Sequence, residues 1–152
     1  MAKRFPLQTL LDLAQDHSDE AGRKLLLLKV KWQEAEQKLE QLSHFREEYR
    51  NRLLQNTQQG MQMAAWREFQ LFMGKLDKAI GFQADEVNKC QQRWEAGQRD
   101  WMERRRRLKA YDTLSHRHAA GEAKREAKIE QKEQDEFSGN LVNSQHKEGS
   151  QQ

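Results

Sequence analysis

A heptad pattern of apolar residues runs through most of the chain and constrains its fold more than any other feature. Over residues 7–53, apolar residues recur in alternating steps of three and four, and only Ser18 and Arg46 break the series. The pattern resumes over residues 66–111. This spacing places one apolar stripe along one side of an α-helix, which is typical of coiled coils. We therefore predict an all-α protein built from two long coiled-coil helices.

A polar segment interrupts the two stripes and predicts where the chain reverses. Residues 56–60 read "NTQQG", and a polar run that ends in glycine favours a turn. Two stripes joined by a short turn bury their apolar residues when the helices fold back on each other. We expect an antiparallel helical hairpin with a first helix over about 6–55, the turn at 56–60 and a longer second helix over about 61–136.

The two stripes also predict which residues face each other. Counted outward from the turn, each stripe position on the first helix matches one on the second without an insertion, and we call each matched pair a layer. The pattern also allows a pairing shifted by one heptad. Beyond Tyr111 the same positions hold polar residues, so we expect the seam to end there. Among others, the predicted layers pair Leu53 with Trp66, Tyr49 with Phe69, Ala35 with Gln83, Trp32 with Val87, Leu28 with Cys90 and Leu7 with Tyr111.

The composition of the C-terminal end differs from that of the hairpin. Residues 138–152 read "SGNLVNSQHKEGSQQ", which has too few apolar residues to bury a core. We predict that residues 1–137 form the coiled-coil hairpin and that residues 138–152 form a disordered tail.

Four consecutive arginines, residues 104–107, raise the question of nucleic-acid binding. The chain carries 27 Lys and Arg against 24 Asp and Glu, a net charge of only +3, with both signs interspersed. The arginines also lie inside the heptads, whereas a basic zipper places its basic region before them. Asp100 is four residues before Arg104, a spacing that suits an ion pair. We interpret the run as solvated helix surface, with a protein contact as the alternative, and expect no nucleic-acid partner.

The residue patterns of common catalytic and metal sites are missing from the sequence. Neither a G-x-x-x-x-G-K-[ST] loop nor a G-x-G-x-x-G motif occurs. His116 and His118 are two residues apart and so point to different sides of a helix, and Cys90 is interpreted as a small seam residue. We expect no enzymatic activity, no cofactor and no metal. A single cysteine fits a reducing compartment, so a cytoplasmic location is predicted.

One flank of the predicted seam carries aromatic residues. At the heptad positions beside the stripe, Phe45 on the first helix lies next to Phe72 on the second, while the other flank is polar. An exposed apolar cluster of this kind favours an interaction site. A widened seam or a self-association contact is the alternative.

The sequence resembles the FliJ family of flagellar type III export proteins. The resemblance is carried, in order along the chain, by "PLQTLLDLAQDHSDEA" (6–21), "FREEYRNRL" (45–53), "WREFQLFMGKLDKAI" (66–80), "RRRRLKAYDTLSHR" (104–117) and "EQKEQDEF" (130–137). It implies an antiparallel coiled coil similar to the central stalk of rotary ATPases. It also implies binding to the export ATPase FliI and to the export gate protein FlhA, and the handling of chaperones of late export substrates. The implied location is the cytoplasmic face of the inner membrane, reached through these partners, in a system that serves motility and chemotaxis.

The resemblance further implies which residues make these contacts. The gate-binding residues of the family correspond to Lys38, Leu42, Phe45, Tyr49, Phe72, Leu76, Ala79 and Gln83. A stalk that enters an ATPase ring uses the end remote from the turn, which here contains Arg105, Arg106 and Arg107. A generic coiled-coil scaffold or adaptor, or the stalk of a non-flagellar type III secretion system, remains the alternative function.

Overall fold

The computed structural model of the chain describes residues 3–150. Within this range the secondary structure consists of two α-helices, α1 (Gln8–Gln58) and α2 (Met63–Gly149), and contains no strand. The two helices pack against each other, and the second is the longer. The predicted all-α fold of two long helices is therefore confirmed.

The loop between the helices is shaped by one glycine. Gly60 has a φ of 87°, a left-handed conformation that glycine adopts without steric cost. Its N–H donates to the Thr57 carbonyl at 3.3 Å and so caps the end of α1. On the other side of the loop, the Trp66 N–H donates to the Gln62 carbonyl at 3.1 Å and closes the first turn of α2.

The turn lies slightly later than predicted. Residues 56–58 belong to α1, where the Thr57 hydroxyl donates to the Leu53 carbonyl at 2.9 Å. This bond satisfies the Thr57 hydroxyl within the helix, although such a side-chain bond does not itself stabilise the helix. The chain reversal therefore falls at residues 59–62 rather than 56–60.

The described chain divides into two compact units. One comprises residues 3–17 together with residues 105–150, and the other comprises Ser18–Arg104. Each unit contains part of α1 and part of α2. The predicted seam, turn and aromatic flank lie for the most part in the Ser18–Arg104 unit.

The core of the Ser18–Arg104 unit is a narrow seam. Its buried side chains are small or medium in size: Ser18, Ala21, Ala35, Leu53, Leu76 and Cys90. Two predicted layers are confirmed by direct contacts. The rings of Tyr49 and Phe69 lie 5.0 Å apart, and the Gln83 amide donates to the Ala35 carbonyl at 2.9 Å.

Farther from the turn, the contacts shift relative to the predicted layers. Trp32 packs against Trp94, with 5.4 Å between ring centroids, which is one heptad beyond its predicted partner Val87. Side chains on a helix lean toward its N-terminus, so the two sets lean in opposite directions in an antiparallel pair. Large side chains therefore reach partners displaced from their own layer.

In the other unit, the predicted end of the seam at Tyr111 is wrong. Ser115 and His118 are half-buried and Glu122 is buried, although all three are polar. The segment before α1 packs here: the Phe5 ring lies 5.6 Å from the His118 ring, and His118 Nε2 is 2.9 Å from the Lys3 carbonyl oxygen. Burial thus continues beyond the apolar stripe, and at His118 the segment before α1 contributes to it.

Helix α2 continues past its predicted end near residue 136. It runs through Gly149, and every residue over 123–150 is exposed. This stretch contains no proline and is rich in Lys, Glu and Gln, which are good helix formers. Of the predicted tail, residues 138–149 are thus helical and residues 138–150 are exposed, while its last two residues lie outside the described range.

Candidate partner-binding surface

The four sequence-predicted gate-binding residues on α1 share one side of that helix. Lys38, Leu42, Phe45 and Tyr49 follow each other in steps of four, three and four residues. Residues spaced in this way stand above one another along a helix. Lys38 and Phe45 are exposed, while Leu42 and Tyr49 are half-buried against α2.

The four predicted residues on α2 repeat the same spacing. Phe72, Leu76, Ala79 and Gln83 also follow in steps of four, three and four. Leu76 is only 7% exposed, so its main contribution is to the seam rather than to a partner. Gln83 is half-buried, and its amide is occupied by the bond to the Ala35 carbonyl.

Aromatic contacts join the two rows into one surface. The Phe72 ring lies 4.5 Å from Tyr49 and meets Phe45 edge-on at 6.3 Å with an interplanar angle of 78°. Tyr49 in turn packs on Phe69. Offset and edge-to-face pairs of this kind are favourable beyond the area that they bury, so the cluster holds its outer rings in place. We call Phe45, Tyr49, Phe69 and Phe72 the aromatic cluster.

The outer rings of the aromatic cluster remain accessible to solvent. Phe45 is 44% exposed and Phe72 is 38% exposed. Each ring therefore has one side fixed by the cluster and another side free for a partner. A rigid, partly exposed aromatic pair is the kind of feature that anchors protein interfaces.

The opposite edge of the seam is polar, as the heptad positions predict. There the Arg46 guanidinium donates from Nε to Asp77 Oδ1 at 2.5 Å. This hydrogen bond, together with the charge of the Asp77 carboxylate, raises the pKa of Arg46 above its ordinary value. The two edges thus differ in chemistry, and the aromatic cluster marks one side of the unit.

The pair of Arg46 and Asp77 was not predicted from the heptad pattern. In that pattern Arg46 interrupts the apolar stripe, and Asp77 lies at a heptad position on the polar flank. An arginine at a seam position needs an acceptor nearby, because an unpaired charge is costly to desolvate. The need for an acceptor could therefore have predicted the pair, since the Asp77 carboxylate lies at a flanking position of α2.

The arginine run is divided between different environments. Arg104 is half-buried, and its Nε lies 3.4 Å from Asp100 Oδ1, which confirms the predicted ion pair. Arg105, Arg106 and Arg107 are exposed on the outside of α2 in the other compact unit.

The remaining candidate groups have structural contacts. Cys90 is buried in the seam, with its Sγ 3.7 Å from Glu86 Oε1. His116 pairs with Asp112 at 3.3 Å, whereas His118 packs on the segment before α1. Among residues 3–150, no cluster of His, Cys, Asp or Glu has the geometry of a metal site. In the same range, neither helix has an apolar stretch suited to crossing a membrane.

Comparison with known proteins identifies the family. The model of the family described as "Flagellar FliJ protein" matches residues 3–147. Two similar proteins are the Flagellar FliJ proteins of Escherichia coli (strain K12) and of Salmonella typhi. Each is 33% identical over 137 residues, covering 90% of this chain and 93% of the relative.

The chain belongs to the flagellar FliJ family. The resemblance found in the sequence is thereby confirmed, and the chain is a component of the flagellar export system. This membership favours the flagellar interpretation over a generic adaptor or a non-flagellar secretion stalk. Since the FliJ match covers residues 3–147, it includes both the aromatic cluster and the arginine run.

Proposed function

We propose that this FliJ-family protein acts by binding alone, as the central stalk of the FliI ATPase ring and as a ligand of the export gate protein FlhA. The same protein would escort the chaperones of late export substrates. It would work at the cytoplasmic face of the inner membrane. The aromatic cluster is the observation that carries the gate-binding part of this proposal.

Three properties make the aromatic cluster a suitable gate-binding surface. It combines residues of both helices, so it depends on the folded hairpin and not on a short linear segment. Its outer rings, Phe45 and Phe72, are fixed by neighbours but remain partly exposed. The edge that carries Arg46 and Asp77 is polar, which gives the unit one apolar side for a partner.

Replacing Phe72 by alanine should weaken gate binding while leaving the helices in place. Burial of a phenylalanine against a partner contributes about 1.5–3 kcal/mol, so its loss should weaken affinity roughly 10- to 150-fold. Phe72 lies beside the buried seam, and Leu53, Leu76 and Cys90 keep their packing. The measurement is the affinity of the purified protein for the cytoplasmic part of FlhA, together with thermal unfolding followed by circular dichroism.

Phe137→Ala is the matched control. Phe137 is also an exposed phenylalanine of α2, but it lies in the other compact unit. Its removal should leave gate affinity unchanged. If Phe72→Ala binds the gate normally and remains folded, the aromatic cluster is not the gate site. If it unfolds as readily as Leu76→Ala, Phe72 belongs to the core.

The proposed contact with the ATPase ring involves the unit that contains Arg105, Arg106 and Arg107. These cations lie on exposed helix, and α2 continues beyond Glu122 as a solvent-exposed segment. Acidic residues of a ring would complement this charge. Chaperone escort has no assigned residues, and a pull-down from motile cells with this protein as bait would identify those partners.

A further inference from the structure

An exposed cluster of aliphatic side chains occurs on α1, away from the aromatic cluster. Leu26 is 67% exposed, Leu27 is 64% exposed, and Val30 is also exposed. Their neighbours Leu25 and Leu28 are half-buried and form part of the seam against α2. Leu26, Leu27 and Val30 therefore point away from the seam and do not pack in the core.

Positive charges surround these aliphatic residues. Arg23, Lys24, Lys29 and Lys31 are all exposed, and no acidic residue occurs between Glu20 and Glu34. Lys24 forms an exposed ion pair with Glu20 at 3.4 Å. We call the following seven residues the basic apolar patch: Arg23, Lys24, Leu26, Leu27, Lys29, Val30 and Lys31.

The distribution of charge around the patch favours a flat anionic surface as its ligand. On the helix, Lys29 lies on one side of the aliphatic residues, and Lys24 and Lys31 lie on the other. Arg23 lies one turn before Leu26 and Leu27, on the same side of the helix as these leucines. A helix that lies in the plane of a bilayer has this arrangement, with apolar residues entering the acyl boundary and cations reaching the headgroups. An acidic partner helix is less suited, because such helices dock into grooves and this patch is the convex outside of a single helix.

We propose that the basic apolar patch binds the surface of membranes that contain anionic phospholipids. The patch spans about 13 Å of helix, so only a few side chains insert and the binding is weak and reversible. The cations supply the preference for anionic lipid, and Leu26, Leu27 and Val30 supply the apolar contact. The site is independent of gate binding, which is assigned to the aromatic cluster.

The test is co-sedimentation of the full-length protein with extruded vesicles at low ionic strength. One vesicle type contains phosphatidylcholine alone, and the other contains phosphatidylcholine with phosphatidylglycerol. We expect binding to the phosphatidylglycerol vesicles and a strong decrease in 0.5 M salt, because screening shortens the range of the attraction. Vesicles of phosphatidylcholine alone should bind much more weakly.

Two double variants separate the contributions of charge and apolar contact. Each lysine near an anionic surface is worth about 1 kcal/mol, so Lys29→Gln with Lys31→Gln should weaken binding roughly 25-fold. Leu26→Ser with Leu27→Ser should weaken it at least about 10-fold, since apolar side chains no longer insert. Both variants change only exposed side chains, so circular dichroism should report unchanged helix content.

Matched controls remove the same residue types elsewhere. Leu71→Ser alters a leucine that is 68% exposed on α2, and Lys128→Gln with Lys132→Gln lowers the net charge by the same two units as the lysine variant of the patch. Both controls should bind vesicles as the unaltered protein does.

The proposal is overturned if the unaltered protein does not sediment with anionic vesicles. An acidic protein segment would then remain as the ligand. The proposal is also overturned if the controls lose as much binding as the patch variants.

Discussion

Gly97 shows how one missing methyl group shapes the seam of the Ser18–Arg104 unit. A Cβ atom at this position would lie 2.6 Å from Leu28 Cδ1 and 3.6 Å from Leu25 Cδ1. The first distance is far shorter than a normal van der Waals contact. Leu28 therefore occupies space that any larger residue at position 97 would need.

We predict that Gly97→Ala lowers the free energy of unfolding relative to an alanine at an open glycine site. Alanine gains about 1 kcal/mol in helix propensity, but overpacking in a filled seam costs about 1–3 kcal/mol. The control is Gly81→Ala, because a Cβ atom at position 81 meets nothing within 4 Å. This variant should be more stable than the unaltered protein by about 1 kcal/mol. Urea denaturation of the three proteins measures the difference. Equal gains for both variants would show that Leu28 moves aside without cost.

At the scale of elements, the loop between α1 and α2 depends on Gly60. Its φ of 87° is disfavoured for any residue that carries a Cβ atom. Gly60→Ala should destabilise the hairpin by about 1–2 kcal/mol, although no atom crowds the position. Thermal unfolding compared with Gly81→Ala is the measurement. A variant as stable as the unaltered protein would mean that the loop adopts another conformation at little cost.

The extent of each helix could be predicted where the signal is local. The heptad stripe predicted α1 and most of α2, because the three-four spacing of apolar residues is a property of the helix itself. The glycine that ends "NTQQG" predicted the chain reversal to within a few residues. The reversal comes slightly later because α1 continues through residues 56–58, where the Thr57 hydroxyl is satisfied by the Leu53 carbonyl.

Contacts between distant segments could not be read from the spacing. His118 is half-buried because Phe5 and the Lys3 carbonyl pack on it, and neither belongs to a heptad. Trp32 meets Trp94 because the two side chains lean in opposite directions, a displacement that pairing by layers ignores. The flank that holds Phe45 and Phe72 was predictable, since its position beside the stripe follows from the heptad alone.

At the scale of the whole molecule, the two proposed partner surfaces lie in different compact units. The aromatic cluster belongs to the Ser18–Arg104 unit, whereas Arg105, Arg106 and Arg107 belong to the unit that also contains residues 3–17. Substitutions at sites that share no contacting residue usually have independent effects. Gate binding and ATPase stimulation should therefore be separable by mutation.

Replacement of Arg105, Arg106 and Arg107 by glutamine should reduce stimulation of the FliI ATPase while preserving affinity for FlhA. Glutamine is a good helix former, so the helix persists while the positive charge that complements the ring is lost. Phe72→Ala should give the opposite result, with weakened gate affinity and normal ATPase stimulation. The two assays are performed on both variants, with circular dichroism as the check on folding.

A triple variant that stimulates the ATPase fully would place the ring contact elsewhere, for example in the exposed end of α2. Truncation after Arg125 would then be the variant to assay. Loss of both activities in either variant, with the fold intact, would show that one surface serves both partners.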